Sequence, residues 1–141
     1  MFNGIYRHSV DTKGRMAIPV KFRAELGDSF FLTVGLDSCL YIFSQDEWEK
    51  FNHAIRRTLS FTAAEKLSRF FNAYSFDVEP DLQGRVIIPS ELRKRAGIEK
   101  QAVVIGASNH AEIWEPSKWD ETQQNITNDD IRELLEQINY I

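Results

Sequence analysis

Two arginines, Arg15 and Arg85, each follow a glycine and stand four residues after an aspartate, because the stretch DTKGRMAIP over 11–19 returns as DLQGRVIIP over 81–89. Arginine's planar fork pairs bidentately with phosphate oxygens or with O6 and N7 of guanine, so two arginines held on turns form a double anion- or base-recognition device. Asp11, Gly14, Asp81 and Gly84 have a plainer reading as turn formers, the aspartates through side-chain to backbone bonding and the glycines through a positive φ. Pro19 and Pro89 likewise read as turn support. A turn does not require arginine after its glycine, yet both copies place one there while Lys13 has become Gln83. The arginines are either recognition groups or partners of their own aspartates across the turn.

Charge around the first copy favours recognition. Arg7, His8, Lys13, Lys21 and Arg23 lie close to Arg15 and are opposed only by Asp11 over residues 7–23. The candidate DNA-binding set is Arg15, Arg85, Lys13, Arg7 and His8. Asp77, Glu79 and Asp81 precede Arg85, so the second copy is expected to contribute less; Arg93, Lys94 and Arg95 form either a further basic patch or a solvated helix face. The chain as a whole carries a formal charge of −4. That average hides a division: residues 112–141 hold 2 basic and 8 acidic side chains, against 15 and 13 in residues 1–111. The acidic end is a solvated helix or a device that orients the basic part toward a polyanion.

The elements that must hold these turns follow from the repeat itself. Beyond the motif, Arg23 matches Arg93 and Gly27 matches Gly97; after a one-residue shift Gly35 meets Gly106, Phe43 meets Trp114 and Trp48 meets Trp119. GIYRHSV and SFDVEP read as strands, RMAI and RVII as shorter apolar strands, and FFLTVGL, CLYIF, AVVIGA and AEIW as two further strands in each copy. Pro19 or Pro89 is expected to open a short helix that Gly27 or Gly97 closes. Each copy is thus a β-β-α-β-β unit.

Helices leave the units. Ser44 and Glu47 form a capping-box pattern with Phe43 and Trp48 as a staple, and Pro116 opens the equivalent helix between Trp114 and Trp119. A T-x-x-E pattern at Thr62 predicts a connector helix with Ala63, Leu67, Phe70, Phe71 and Tyr74 along one face. Thr127 is expected to cap a last helix whose Ile131, Leu134, Leu135 and Ile138 follow helical spacing. The expected organisation is a first unit over 5–47, a helical connector over 48–75, a second unit over 76–119 and an acidic C-terminal helix over 120–141. A unit of about 45 residues buries too little and leaves open edges. The fold class is therefore α+β, with the two units interleaved about a pseudo-two-fold into one small barrel and the helices outside. Aromatic residues make up 12% of the chain, enough to serve either the core or an exposed assembly surface.

Other chemistry finds little support. Cys39 is a single cysteine in a strand-like context and reads as a buried apolar residue. His8, His53 and His110 have no metal-ligand spacing, and no nucleophile–base pattern or phosphate-cradling glycine loop is present, so neither an enzyme nor a cofactor or metal site is expected. No apolar run reaches the roughly 18 residues of a membrane span. A cytoplasmic protein without a small-molecule substrate is the expectation.

At these residues the chain resembles the MraZ family of bacterial transcriptional regulators, from MFNGIYRHSVDTKGRMAIP through DVEPDLQGRVIIP to IWEPSKW. The resemblance implies an AbrB-like swapped-hairpin barrel duplicated within one chain, with the D-x-x-x-R segments as the DNA-binding surface; Asp11, Arg15, Asp81 and Arg85 are the matching positions. It further implies a repressor of the division and cell-wall gene cluster that includes its own gene, nucleoid-associated, assembled as a ring-shaped homo-oligomer on repeated boxes of double-stranded promoter DNA. Gln83 departs from the first copy's Lys13 and sets the two copies apart. An antitoxin-like AbrB relative would carry one copy and a disordered toxin-binding tail, and this chain has neither. A scaffold that uses the barrel for protein interaction without DNA is the rival from another class.

Overall fold

Met16 and Val86, the apolar residues after the two arginines, lie directly opposite each other in an antiparallel ribbon. The ribbon pairs β2 (Arg15–Ala17) with β6 (Arg85–Ile87), in a computed structural model that describes residues 1–140. Backbone bonds extend it symmetrically: Ile18 N–H donates to Gly84 O at 2.9 Å and Ile88 N–H to Gly14 O at 2.8 Å. Met16, Val86, Ile18 and Ile88 are all buried, so the ribbon's inner face is core.

Six further strands form one antiparallel sheet in the order β1-β7-β8-β4-β3-β5. They are β1 (Ile5–Ser9), β3 (Phe30–Val34), β4 (Leu40–Ser44), β5 (Phe76–Val78), β7 (Gln101–Gly106) and β8 (Ala111–Trp114). The first strand of each unit pairs with the third strand of the other, Ile5 opposite Ile105 and Phe30 opposite Val78, while β4 and β8 join the units with Leu40 opposite Ile113. The open edges expected of an isolated unit are covered in this way by its partner unit. The buried side chains accordingly form a shared core, in which Met16, Phe22, Leu32 and Leu40 of the first unit meet Val86, Leu92, Val104 and Ile113 of the second.

Helices α1 (Val20–Leu26) and α4 (Ser90–Ala96) follow the ribbon strands. Pro19 and Pro89 act one position earlier than expected, as the N-cap residues with ψ near the extended range, and their carbonyls accept from Phe22 N–H and Arg93 N–H. Both Gly27 and Gly97 have positive φ, but only Gly97 is in the left-handed helical region; Gly27, at ψ −160°, leaves its helix in a more extended direction.

The connector is two helices, α2 (Gln45–Thr58) and α3 (Phe61–Asn72). Ser44 caps α2, and Phe43 and Trp48 pack with ring centroids 5.5 Å apart. The cap of α3 is Ser60, which accepts from Ala63 N–H, and not Thr62. Ser60 holds the extended backbone that an N-cap needs, whereas Thr62 already lies inside the first turn. The expected apolar face of α3 divides: Leu67, Phe71 and Tyr74 pack on the core, while Ala63 and Phe70 are exposed. Thr33, a buried polar residue of β3, ties this helix to the sheet by donating from Oγ1 to Phe71 O at 2.6 Å.

After β8 come α5 (Pro116–Gln124), capped by Glu115, and α6 (Asn128–Gln137), on which Thr127 and Asp130 form a reciprocal capping box. Ile131, Leu134 and Ile138 keep the predicted spacing but are exposed. The expected segment 120–141 ends at a residue outside the described ones. Of the aromatic residues, Phe43, Trp48 and Phe71 belong to the core beneath the α2–α3 hairpin, and Phe61, Phe70 and Tyr140 lie at the surface. Cys39 is buried, donates to Leu36 O, and has its thiol pushed up to about 12 by burial first and by Glu112 and Asp37 second, so it is an unreactive core group. Among the described residues no helix is long and apolar enough to cross a membrane.

Replacing Thr33 with valine keeps the shape and leaves the Phe71 carbonyl without its donor. Urea denaturation is expected to show a loss of about 1–3 kcal/mol.

Candidate nucleic-acid interface

Each D-x-x-G-R turn is organised by its aspartate. Asp11 Oδ1 accepts from the backbone N–H groups of Lys13 and Arg15, both at 2.9 Å, and Oδ2 accepts from Arg15 Nε at 2.7 Å. Asp81 repeats this with Gln83 N–H and Arg85 N–H at 2.9 Å and with Arg85 Nε at 3.1 Å. Backbone bonds close both turns, from Gly14 N–H to Asp11 O and from Gly84 N–H to Asp81 O, each 2.9 Å. The glycines sit at φ +80° and +76°, in the region where a side chain is strained.

The pairing of each arginine with its own aspartate uses only part of the guanidinium. Nε is committed to the aspartate, which fixes the direction of the side chain, and among the described residues neither guanidinium's Nη groups have a protein acceptor. Both side chains are about one-third exposed. Such partly solvated ion pairs add little to stability. Their consequence is orientation, because the edge of each guanidinium that remains is the one suited to an external acceptor.

Strand register brings the two arginines together. Arg15 lies opposite Ile87 and Arg85 opposite Ala17, with Met16 and Val86 between them. Side chains alternate along a strand, so all four flanking residues share the face opposite the buried pair. Arg15 and Arg85 are diagonal neighbours there, at a backbone separation of roughly 7–8 Å.

A second pair of arginines braces the turns. Arg93 lies against Gly14 of the other unit and Arg23 against Gly84, each so close that a Cβ on the glycine would collide with the facing guanidinium. Their Nε groups are held by carbonyls, Arg23 by Ile18 O at 3.0 Å and Arg93 by Ile88 O at 2.9 Å. Each turn thus has its own arginine and one from the opposite unit nearby. Sequence reasoning matched Arg23 with Arg93 but left this crossing unread, because the contact spans the two units and has no local spacing.

The remaining candidates disperse. Lys13 is exposed at the turn tip beside Arg15, with Gln83 in the same place on the second turn. Arg7 points to α5 instead and pairs with Asp120 at 3.2 Å. Its neighbour His8, on the alternate face of β1, has its pKa lowered by burial first and by Arg23 second. Lys21 donates to Asn3 Oδ1, and Arg95 stacks over Tyr74 at 4.2 Å. Arg7 and His8, adjacent on β1, therefore face opposite ways, Arg7 toward Asp120 and His8 within reach of the charge of Arg23. Among the described residues no group of three or more His, Cys, Asp or Glu side chains is placed to hold a metal.

A family model described as "MraZ protein, putative antitoxin-like" matches the chain twice, over residues 1–71 and 69–137. The chain belongs to the MraZ family. The double match reproduces the internal repeat. A protein of Thermoanaerobacter pseudethanolicus is 43% identical over 143 residues, covering 99% of each chain. Relatives from Acetivibrio thermocellus and Ligilactobacillus salivarius are 45% and 43% identical and cover 96% of each chain. All three are described as transcriptional regulator MraZ.

Backbone bonding to Arg15 and Arg85, the leading cause in each case, lowers the pKa values of Asp11 and Asp81 from 3.8. A depressed carboxylate contributes stability that is complete above the unfolded value and lost as pH falls through the folded one. Urea denaturation below pH 3.8 is expected to show a shallower acid loss in an Asp11→Asn, Asp81→Asn variant than in the parent. At neutral pH, Gly84→Ala is expected to cost about 1–3 kcal/mol through its positive φ.

Proposed function

We propose that this protein is a transcriptional regulator that binds double-stranded DNA sequence-specifically through the outward face of the β2–β6 ribbon and its two turns. The observation that carries the reading is the ribbon register, which puts the two arginines on one face as diagonal neighbours, each with Nε tied to its aspartate. Arg15, with Lys13 beside it, is the dominant contact, and Arg85 is its weaker counterpart. Asp11, Gly14, Asp81, Gly84, Pro19 and Pro89 hold the turns. The relatives' description as transcriptional regulators supports the same reading.

The proposal extends to the finer features that the resemblance implies. The exchange of first strands between units is read as an AbrB-like swapped hairpin closing a small barrel, with the units divided at 5–47, 48–75, 76–119 and 120–141. The regulator represses its own division and cell-wall gene cluster from the cytoplasm, on the nucleoid, as a ring of identical subunits over repeated promoter boxes. Several modest contacts in series gain by avidity when the DNA spacing matches the ring.

Two exposed surfaces support assembly. Leu59, just after α2, and Ala63, Leu67 and Phe70 of α3 line an apolar groove, flanked by Lys66 and Arg69. The exposed stripe of α6 carries acidic neighbours: residues 128–137 hold 4 acidic and 1 basic side chains, while 56–70 hold 4 basic and 1 acidic. A stripe of one copy seated in the groove of the next is a heterologous contact, which closes into a ring when its rotation permits.

Fluorescence anisotropy on DNA from upstream of the protein's own gene, against scrambled DNA at two salt concentrations, tests the DNA reading. Arg15→Ala is expected to cost about 1–3 kcal/mol per subunit and to relax specificity if the arginine meets a base edge; if it meets phosphate alone, affinity falls uniformly and the salt slope drops by about one. A folded protein that binds no DNA above the scrambled control identifies a protein-interaction scaffold instead. Sedimentation tests the assembly: Leu134→Asp and Phe70→Asp variants are each expected to be monomeric, and their equimolar mixture to form a two-subunit complex through the one intact stripe and groove.

A further inference from the structure

The two turns are alike in bonding and unlike in what they present. In both, the aspartate accepts from the amides two and four residues on and from the arginine Nε, and the glycine has nearly the same φ. The side chains left over are those at the two tip positions. The first turn offers Thr12 and Lys13; the second offers Leu82 and Gln83, and all four are exposed. Leu82 projects entirely into solvent. Nothing in the bonding of the turn calls for leucine there, and an apolar side chain of this size at a turn tip forgoes the burial that it obtains in a core.

Resting on the DNA-binding reading above, we infer that the turns form a chemically asymmetric reading head, in which the Leu82–Gln83 tip selects A·T pairs and the Thr12–Lys13 tip does not. Gln83 has both a donor and an acceptor on its amide, the pair that matches N6 and N7 of adenine in the major groove. Leu82 beside it supplies an apolar surface for the thymine methyl group. Lys13 is donor-only and matches O6 and N7 of guanine or a phosphate oxygen. The second tip has no cation of its own beyond Arg85, so it reads with less electrostatic attraction and more base chemistry.

Geometry places the tips apart on the DNA. The ribbon runs from Gly14 opposite Ile88 to Ile18 opposite Gly84, with one tip off each end. About six residue steps of roughly 3.3 Å separate the tips, on the order of 20 Å. That corresponds to about six base-pair steps of roughly 3.4 Å. A symmetric backbone with unlike tips gives one chain a fixed polarity on its site. The sequence read by one subunit is therefore non-palindromic, with A·T preference confined to one end.

Selection from a random duplex library with the full chain tests this, using the parent, a Leu82→Thr, Gln83→Lys variant and an Arg15→Ala control. The parent is expected to enrich a non-palindromic site with A·T pairs at one end. The tip variant is expected to lose that preference, to adopt at that end the preference of the first turn, and to show a salt slope steeper by about one. Gln83→Ala alone is expected to lower discrimination of A·T over G·C at that end by about ten- to a hundredfold, the range of one bidentate base contact. Thermal denaturation of each variant establishes that it is folded, and the single Leu82→Ala and Gln83→Ala variants repeat the comparison with the turn otherwise unchanged. An identical enriched site for parent and tip variants, with binding still dependent on Arg15, overturns the asymmetric head and leaves the DNA reading standing. No enrichment and no salt-dependent binding by the folded parent overturns both.

Discussion

The pairing register of the short β2–β6 ribbon is the constraint on which the rest depends. With Met16 opposite Val86, the apolar residue of each motif turns inward and the arginine on its N-terminal side turns outward. A slip of one residue would exchange those faces, putting two guanidiniums into the core and two apolar side chains into water. Burial of Met16, Val86, Ile18 and Ile88 therefore positions Arg15 and Arg85 as firmly as any contact that the arginines themselves make. The guanidinium–aspartate bonds then act on a side chain whose face is already decided, and their part is to aim it.

The two units also depend on each other for the turns. Gly14 and Gly84 have no side chain, and the space is filled by the guanidinium of Arg93 or Arg23 from the opposite unit. Sheet pairing follows the same exchange, since β1 completes the sheet on β7 and β5 completes it on β3. Shared core, crossed arginines and exchanged strands are consequences of one fact: neither unit encloses enough apolar surface by itself. Duplication within a chain places the second unit beside the first without the entropy cost of bringing two molecules together, and it lets the two copies diverge at exposed positions such as Lys13 and Gln83.

Charge is allocated by the same logic. The chain is acidic overall, but four arginines gather around the ribbon and turns, while the surplus carboxylates lie largely on the C-terminal helices. Arg7, which sequence proximity assigned to the basic patch, is drawn to Asp120 on α5. Burial first, and Arg23 second, lower the pKa of His8.

The sequence by itself determined the local elements and their repetition. Each strand and helix of the β-β-α-β-β unit was legible from apolar alternation and from Gly and Pro punctuation, because those signals act within a few residues. The aspartate-anchored turns and the caps at Ser44 and Thr127 were legible for the same reason. Ser60 was overlooked because Thr62 offered an equally good local pattern, and only the chain's path after Thr58 decides which residue is extended. What tertiary structure alone decided were the relations between units: the common face of Arg15 and Arg85, the crossing of Arg23 and Arg93, the departure of Arg7 and His8 to opposite sides of β1, and the exposure of the α6 stripe. These depend on register and on contacts between residues far apart in the chain, and local periodicity carries no record of either.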